Sequence, residues 1–142
     1  MTLASALSYG GRSGPGRLYV VVAAPMRQSS GASAGIIATA QDGRTLVERR
    51  ALADLPDVEA YAVDAQPGYI VLAAVRGWLD PAPDLVLSGV NHGANVGRAI
   101  LHSGTVGAAL TAGVTEYGGW RCLSMSARIL SECRIGTRPG TW

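Results

Sequence analysis

The run Leu18-Tyr19-Val20-Val21-Val22-Ala23-Ala24, closed by Pro25, decides how this chain is read. It is continuously apolar and rich in β-branched residues, with no polar alternation. Such a run suits a strand covered on both faces, as in a parallel sheet. Proline ends it, because it has no amide to extend a ladder. Working outward, residues 58–63, VEAYAV, also suit a strand. Residues 84–89, DLVLSG, follow Pro81 and Pro83 and read as a third strand that stops at Gly89. Residues 121–126, RCLSMS, are the fourth candidate. Helical stretches fall between them. Residues 68–79, GYIVLAAVRGWL, place Ile70, Ala73, Ala74 and Trp78 on one face at helical spacing. Residues 104–114, GTVGAALTAGV, are small and apolar, with Ser103 placed as N-cap. Strands alternating with helices predict an α/β domain with a mainly parallel sheet.

Composition agrees with one such domain. The chain has 142 residues, 48% apolar and 15% charged, enough apolar surface for a core. It is too short for a barrel of eight βα units, which takes about 250 residues. Its two cysteines, Cys122 and Cys133, are too few for a disulfide scaffold and read as thiols of a reducing compartment. Twelve basic against ten acidic residues leave a net charge of +2. The basic residues are dispersed, so no stripe for nucleic acid is visible. All of them are Arg, which removes Schiff-base chemistry and a phosphate-holding P-loop lysine. Residues 1–17 lack the basic start and apolar stretch of a signal peptide. The longest apolar run, Leu18 to Pro25, falls far short of the roughly 18 residues a membrane span needs. The expectation is a cytoplasmic protein with no membrane or nucleic-acid partner.

Two loops stand apart, each directly after a predicted strand. One is Pro25 to Ala34, PMRQSSGASA; the other is Asn91 to Gly104, NHGANVGRAILHSG. Open α/β sheets bind ligands at the carboxyl ends of their strands, so both loops are expected to face one crevice. Ser103-Gly104-Thr105 enters a helix, where backbone amides and the positive helix end favour an anion. The same residues equally suit a plain helix cap. Asn91 and Asn95 bracket a Gly-rich turn; an Asn carboxamide offers oxygen to a hard cation or NH₂ to a phosphate, and Asn is also a common turn former. His102, just ahead of the anion turn, is a candidate to contact a phosphate or protonate a leaving group. No GxGxxG turn follows the first visible strand, which argues against a dinucleotide-binding subdomain.

Three ordered segments together resemble the SurE family of survival proteins, metal-dependent 5′/3′-nucleotidases. Val21-Val22-Ala23-Ala24-Pro25-Met26-Arg27-Gln28-Ser29-Ser30-Gly31-Ala32-Ser33 is similar to the family's VVAPDRxxSGAS loop. Pro83-Asp84-Leu85-Val86-Leu87-Ser88-Gly89-Val90-Asn91-His92-Gly93-Ala94-Asn95-Val96-Gly97 is similar to PDLVVSGINxGxNxG. Leu101-His102-Ser103-Gly104-Thr105-Val106-Gly107-Ala108-Ala109 is similar to xYSGTVxAA. The resemblance implies a Rossmann-like three-layer α/β/α fold. It implies Ser30 and Asn91 as ligands of Mg²⁺ or Mn²⁺, and Asn95, Ser103, Gly104 and Thr105 as holders of the substrate phosphate. The implied reaction is hydrolysis of a nucleoside monophosphate to nucleoside and phosphate, with the metal orienting the phosphate and activating water.

Departures from the family pattern qualify that expectation. The family opens with a strand ending in Asn-Asp-Asp-Gly, whose two Asp residues are principal metal ligands; no such motif is present here. Thr2 to Leu7 resemble the helix that follows that strand. Met26 stands where the family has Asp, and Ala65-Gln66-Pro67-Gly68-Tyr69-Ile70-Val71 stands where it has GTPADCV. Asp64, at the end of the second predicted strand, is the candidate substitute carboxylate. The resemblance therefore implies a partial domain over residues 1–142, without the first strand and the C-terminal part. Residues 127–142 match nothing in the family pattern. The elements of that C-terminal part imply a homo-oligomer. The alternative function is a degenerate paralogue or fragment that binds nucleotide or phosphate without turnover.

Overall fold

The computed structural model describes residues 19–83, 85–91, 97–115 and 121–126. The predicted first strand is β1, Val21–Pro25, and the second is β5, Glu59–Val63. They pair in parallel from Val21 against Glu59 to Pro25 against Val63. Val21, Val22, Ala23 and Ala24 are all buried, as a strand covered on both faces requires. The strand begins at Val21, after Tyr19 and Val20, because the ladder has its first partner at Glu59; Leu18 lies outside the described residues.

Between these two strands the chain builds antiparallel structure that the sequence reading did not anticipate. A small hairpin joins β2, Ala40–Gln41, to β3, Arg44–Thr45, around Asp42 and Gly43, both with positive φ. Strand β4, Val47–Arg50, then pairs antiparallel with β5. The sheet order β1-β5-β4 is thus mixed, with a parallel centre and an antiparallel flank. The reason for the miss is physical: Val-Glu-Arg-Arg is mostly solvent-facing at the sheet margin and carries no apolar alternation.

After β5, helix α1 runs Pro67–Ala73. Pro67 sits at the helix start, where a missing amide costs nothing. The helix widens into a π turn over Ala74–Trp78 and ends through Gly77, whose φ of +99° only glycine adopts cheaply. The buried residues are Pro67, Gly68, Ile70, Val71, Ala74 and Val75. Ile70 and Ala74 lie on the expected face, but Ala73 and Trp78 are only half-buried, so the apolar stripe is rotated toward Val71 and Val75. Trp78 instead packs edge-on against Tyr61, with ring centroids 5.6 Å apart.

The third and fourth predicted strands are β6, Leu85–Asn91, and β7, Arg121–Ser126, which pair in parallel. Strand β6 continues two residues beyond the expected stop at Gly89 and is irregular between Ser88 and Asn91. A 3₁₀ helix, Gly97–His102, occupies part of the loop after it. Helix α2, Gly104–Val114, has the predicted bounds.

Helices α1 and α2 pack against each other, with α1 also on β1 and α2 on β6 and β7. The core between them contains Ile70, Val71, Val86, Ala108 and Ala112, each 1% exposed or less. Full burial of a Val or Ile side chain contributes about 1.5–3 kcal/mol. Among the described residues no ladder joins β1 to β6, and the strands form three groups: β1-β5-β4, the β2-β3 hairpin and β6-β7. No helix of the described residues is long and apolar enough to cross a membrane. The tail 127–142, the helix-like stretch Thr2 to Leu7 and Cys133 lie outside the described residues.

Candidate functional site

The loop after β1 and the entry to α2 meet at the carboxyl edge of the strands. Met26 continues beyond β1 by donating its amide to Val63 O at 2.8 Å, which keeps the start of the loop on the sheet. The loop then folds on itself through Ala32 N to Ser29 O (3.2 Å) and Gly35 N to Ala32 O (3.0 Å). Glycine lets it lie directly on α2. A Cβ on Gly104 would stand 3.1 Å from Pro67 Cγ and 3.3 Å from Ser29 O. A Cβ on Gly107 would overlap the Ser33 carbonyl. Small residues in α2 therefore do more than fill the core; they set how closely this loop approaches the helix.

Ser103 caps the helix as predicted. Its Oγ accepts from the Val106 amide at 3.2 Å, and its carbonyl accepts from the Gly107 amide at 2.9 Å. The Ser103 amide donates back to Ile100 O at 3.1 Å, tying the cap to the preceding 3₁₀ turn. Gly104 and Thr105, the first helical residues, lie ahead of the first intrahelical bond, and no acidic side chain occupies the first turn. Ser88 Oγ on β6 donates to Thr105 O at 2.7 Å and fixes the helix entry to the strand. Ser103, Gly104 and Thr105 are all buried. This is the geometry of a capped helix entry, with the positive helix end at the turn and no acidic side chain in the first turn.

Ser30 lies in the same loop, one residue beyond Ser29, and is exposed; its Oγ accepts from Gln28 Nε2 at 3.2 Å. Asn91 ends β6 opposite Ser126, and only its backbone is described. Asn95 and His92 lie outside the described residues. His102 is exposed at the end of the 3₁₀ turn, and its carbonyl accepts from Ser33 N at 3.3 Å. Asp64 directly follows β5, on the same edge, and its carboxylate faces the Arg27 guanidinium at 3.6 Å. The side chain of Asp64 is 15% exposed and that of Arg27 is 79% exposed, so the pair sits at the lip of the site. Surface pairs of this kind contribute at most about 1 kcal/mol.

The donor set bears on the metal. A hard divalent cation such as Mg²⁺ uses one or two carboxylates. Ser30 and Asn91 would offer neutral oxygens, and Asp64 already faces a cation. Among the described residues no group of three or more His, Cys, Asp or Glu could hold a metal ion. These residues alone do not fit a tightly bound divalent ion.

Ser33 was not among the residues singled out from sequence. It adopts φ +52°, the left-handed region, and its Oγ donates to Leu101 O at 2.7 Å. A serine in an Ala/Gly-rich loop gives no sequence signal of this, because the contact depends on backbone conformation.

The opposite edge of the sheet is built differently. Tyr61 Oη donates to Glu59 Oε2 at 2.8 Å. Hydrogen bonds from Tyr19 and then Tyr61 hold the Glu59 carboxyl below its usual range. The same carboxylate pushes both phenols above theirs.

Comparison with known proteins bears on this arrangement. The chain is similar to the 5′-nucleotidase SurE of Legionella pneumophila, 42% identical over 91 residues, covering 64% of this chain and 32% of the relative. It is similar to the 5′-nucleotidase SurE of Nostoc sp., 38% identical over 109 residues, covering 77% of this chain and 38% of the relative. With that of Trichormus variabilis it shares 53% identity over 55 residues, 39% of this chain and 21% of the relative. The matched segments thus span well under half the length of these relatives. A family model described as Survival protein SurE matches residues 4–134, from before β1 to beyond β7, and the chain belongs to the SurE family.

Proposed function

We propose that this chain is the phosphate-holding part of a SurE-type nucleotidase, whose substrate is a nucleoside 5′- or 3′-monophosphate. The observation that carries the reading is the Ser103-capped start of α2, with the loop after β1 folded onto it. The Gly104 and Thr105 amides and the Thr105 hydroxyl are the groups assigned to the phosphate oxygens. Ser103 holds the turn in shape, and Asn95 is assigned to the same phosphate. His102 is placed as the candidate proton donor to the leaving alcohol, since hydrolysis of the ester releases an alkoxide that must be protonated. Ser30 and Asn91 are assigned to the neutral side of a Mg²⁺ or Mn²⁺ site. Because the described donors do not complete that site, no hydrolytic step is derived through the metal. The working form is assigned to a homo-oligomer and to the cytoplasm.

The experiment is titration of the purified chain with AMP and with inorganic phosphate, with and without Mn²⁺, together with a phosphate-release assay. Saturable binding that weakens in Ser103→Ala supports the phosphate site. Metal-dependent phosphate release supports the nucleotidase reading. A second reading, binding without turnover, is favoured by the lack of a carboxylate cluster among the described residues. Metal-independent binding with no phosphate release selects it. If neither phosphate nor AMP binds, both readings fail.

A further inference from the structure

We infer that Ser33 is a positioning residue for the phosphate cradle, a latch that holds the entry of α2 in register with the loop after β1. The inference rests on the phosphate reading above and adds a residue to it.

Three contacts from one residue reach the same short segment. The Ser33 hydroxyl donates to Leu101 O at 2.7 Å. Its amide donates to His102 O at 3.3 Å. Its carbonyl rests against Gly107, where a Cβ would overlap it. Leu101 and His102 are the last residues of the 3₁₀ turn, and Ser103, Gly104 and Thr105 follow at once. Their final carbonyls would otherwise be left to water at the end of a short helix. The latch therefore grips the segment on both sides of the cradle, two residues ahead of Ser103 and at the first turn of α2.

Backbone conformation points the same way. A serine at φ +52° is uncommon, and such a conformation persists only where its surroundings over-determine it. Here the surroundings are the three contacts just named. Removing the hydroxyl leaves the backbone strain in place while losing the shortest of them. The expected result is an entry turn that samples more than one position, so that the amides at 104 and 105 are no longer pre-aligned for an oxyanion. Ser33 itself stays away from the substrate and acts through the 3₁₀ turn.

Two variants separate this role from a merely structural one. Ser33→Ala removes the hydroxyl and keeps the strained φ. Ser33→Gly removes the hydroxyl and relieves the strain, so it recovers thermal stability relative to Ala. Both are titrated with inorganic phosphate, and amide hydrogen exchange is followed at Ser103, Val106 and Gly107. The latch predicts that phosphate affinity falls about tenfold in both variants, the equivalent of one lost hydrogen bond, and that the three amides exchange faster. Recovery of wild-type affinity in Ser33→Gly overturns the positioning role and leaves only a loop-folding one. Unchanged exchange at the three amides also overturns it. Should wild type bind phosphate and both variants bind it equally well, only the latch fails. Should wild type bind no phosphate, the phosphate reading and the latch fall together.

Discussion

The two ends of the β1–β5 pair are stabilised by opposite means. At the amino end, aromatic and charged side chains make the contacts: Tyr61 bonds to Glu59 two residues back on β5 and packs on Trp78, with Arg49 alongside on β4. At the carboxyl end, contacts run largely through backbone and small side chains, with Ser33 and Ser103 as the pins and Gly104 and Gly107 as the seats. Side-chain networks tolerate small shifts, since rotamers adjust. A backbone seated on glycine does not, since loop carbonyls lie against both seats. The amino end is thus suited to hold the sheet together, and the carboxyl end to hold amides in a fixed pattern.

Gly107→Ala tests that contrast most severely. The new methyl overlaps the Ser33 carbonyl, so the loop must lift from α2. Overpacking of this kind costs about 3 kcal/mol, and phosphate binding should be lost with it. Calorimetric melting and phosphate titration check both parts; a variant with wild-type melting would show that the loop yields easily. Ser103→Ala comes next. Loss of the cap costs about 1 kcal/mol by denaturant unfolding and should weaken phosphate binding further than the stability change explains.

Tyr61→Phe acts at the other end and should have the smaller destabilising effect, without changing phosphate affinity. Its signature is pH dependence. The Glu59 carboxyl is held below its usual range by the two phenols, so its contribution is present above the unfolded-state value and is lost as pH falls through the folded-state value. The phenols, raised by the same contact, contribute below their usual range and lose that contribution as pH rises through the raised values. Melting temperature against pH should therefore be flatter at both extremes in the variant. An unaltered profile would remove the network from the account. Gly113→Ala is the smallest change and has the opposite sign. Nothing lies within 4 Å of a Cβ there, so the exposed helical site should gain about 0.5 kcal/mol and leave both edges untouched.

The legible parts of the chain were those whose pattern is set by burial. The apolar run before Pro25 and the Ser103-capped helix both follow from sequence because packing or capping demands those residues there. Strand β4 was not legible, since Glu48, Arg49 and Arg50 face water and owe their extended form to the ladder with β5. The 3₁₀ turn was hidden in a Gly- and Asn-rich stretch that reads as loop. In α1 the periodicity was right and the face was right in part: Ile70 and Ala74 are buried as expected, Val71 and Val75 are buried beside them, and Ala73 and Trp78 are half-buried. Of the site, Ser103, Gly104 and Thr105 were readable as a helix entry. Ser33 was not, because its conformation and its partners come from tertiary contact.

Strand β4 carries a consequence of its own. It is the outermost strand of the β1-β5-β4 sheet, and two arginines and a glutamate fill three of its four positions, with Arg50 and Glu48 paired. Burying those charges against a neighbouring molecule would cost more than the ladder returns, so this border resists docking with another strand. Exchanging them for valines would turn it into a template for self-association, and the first symptom would be turbidity at high concentration rather than lost binding.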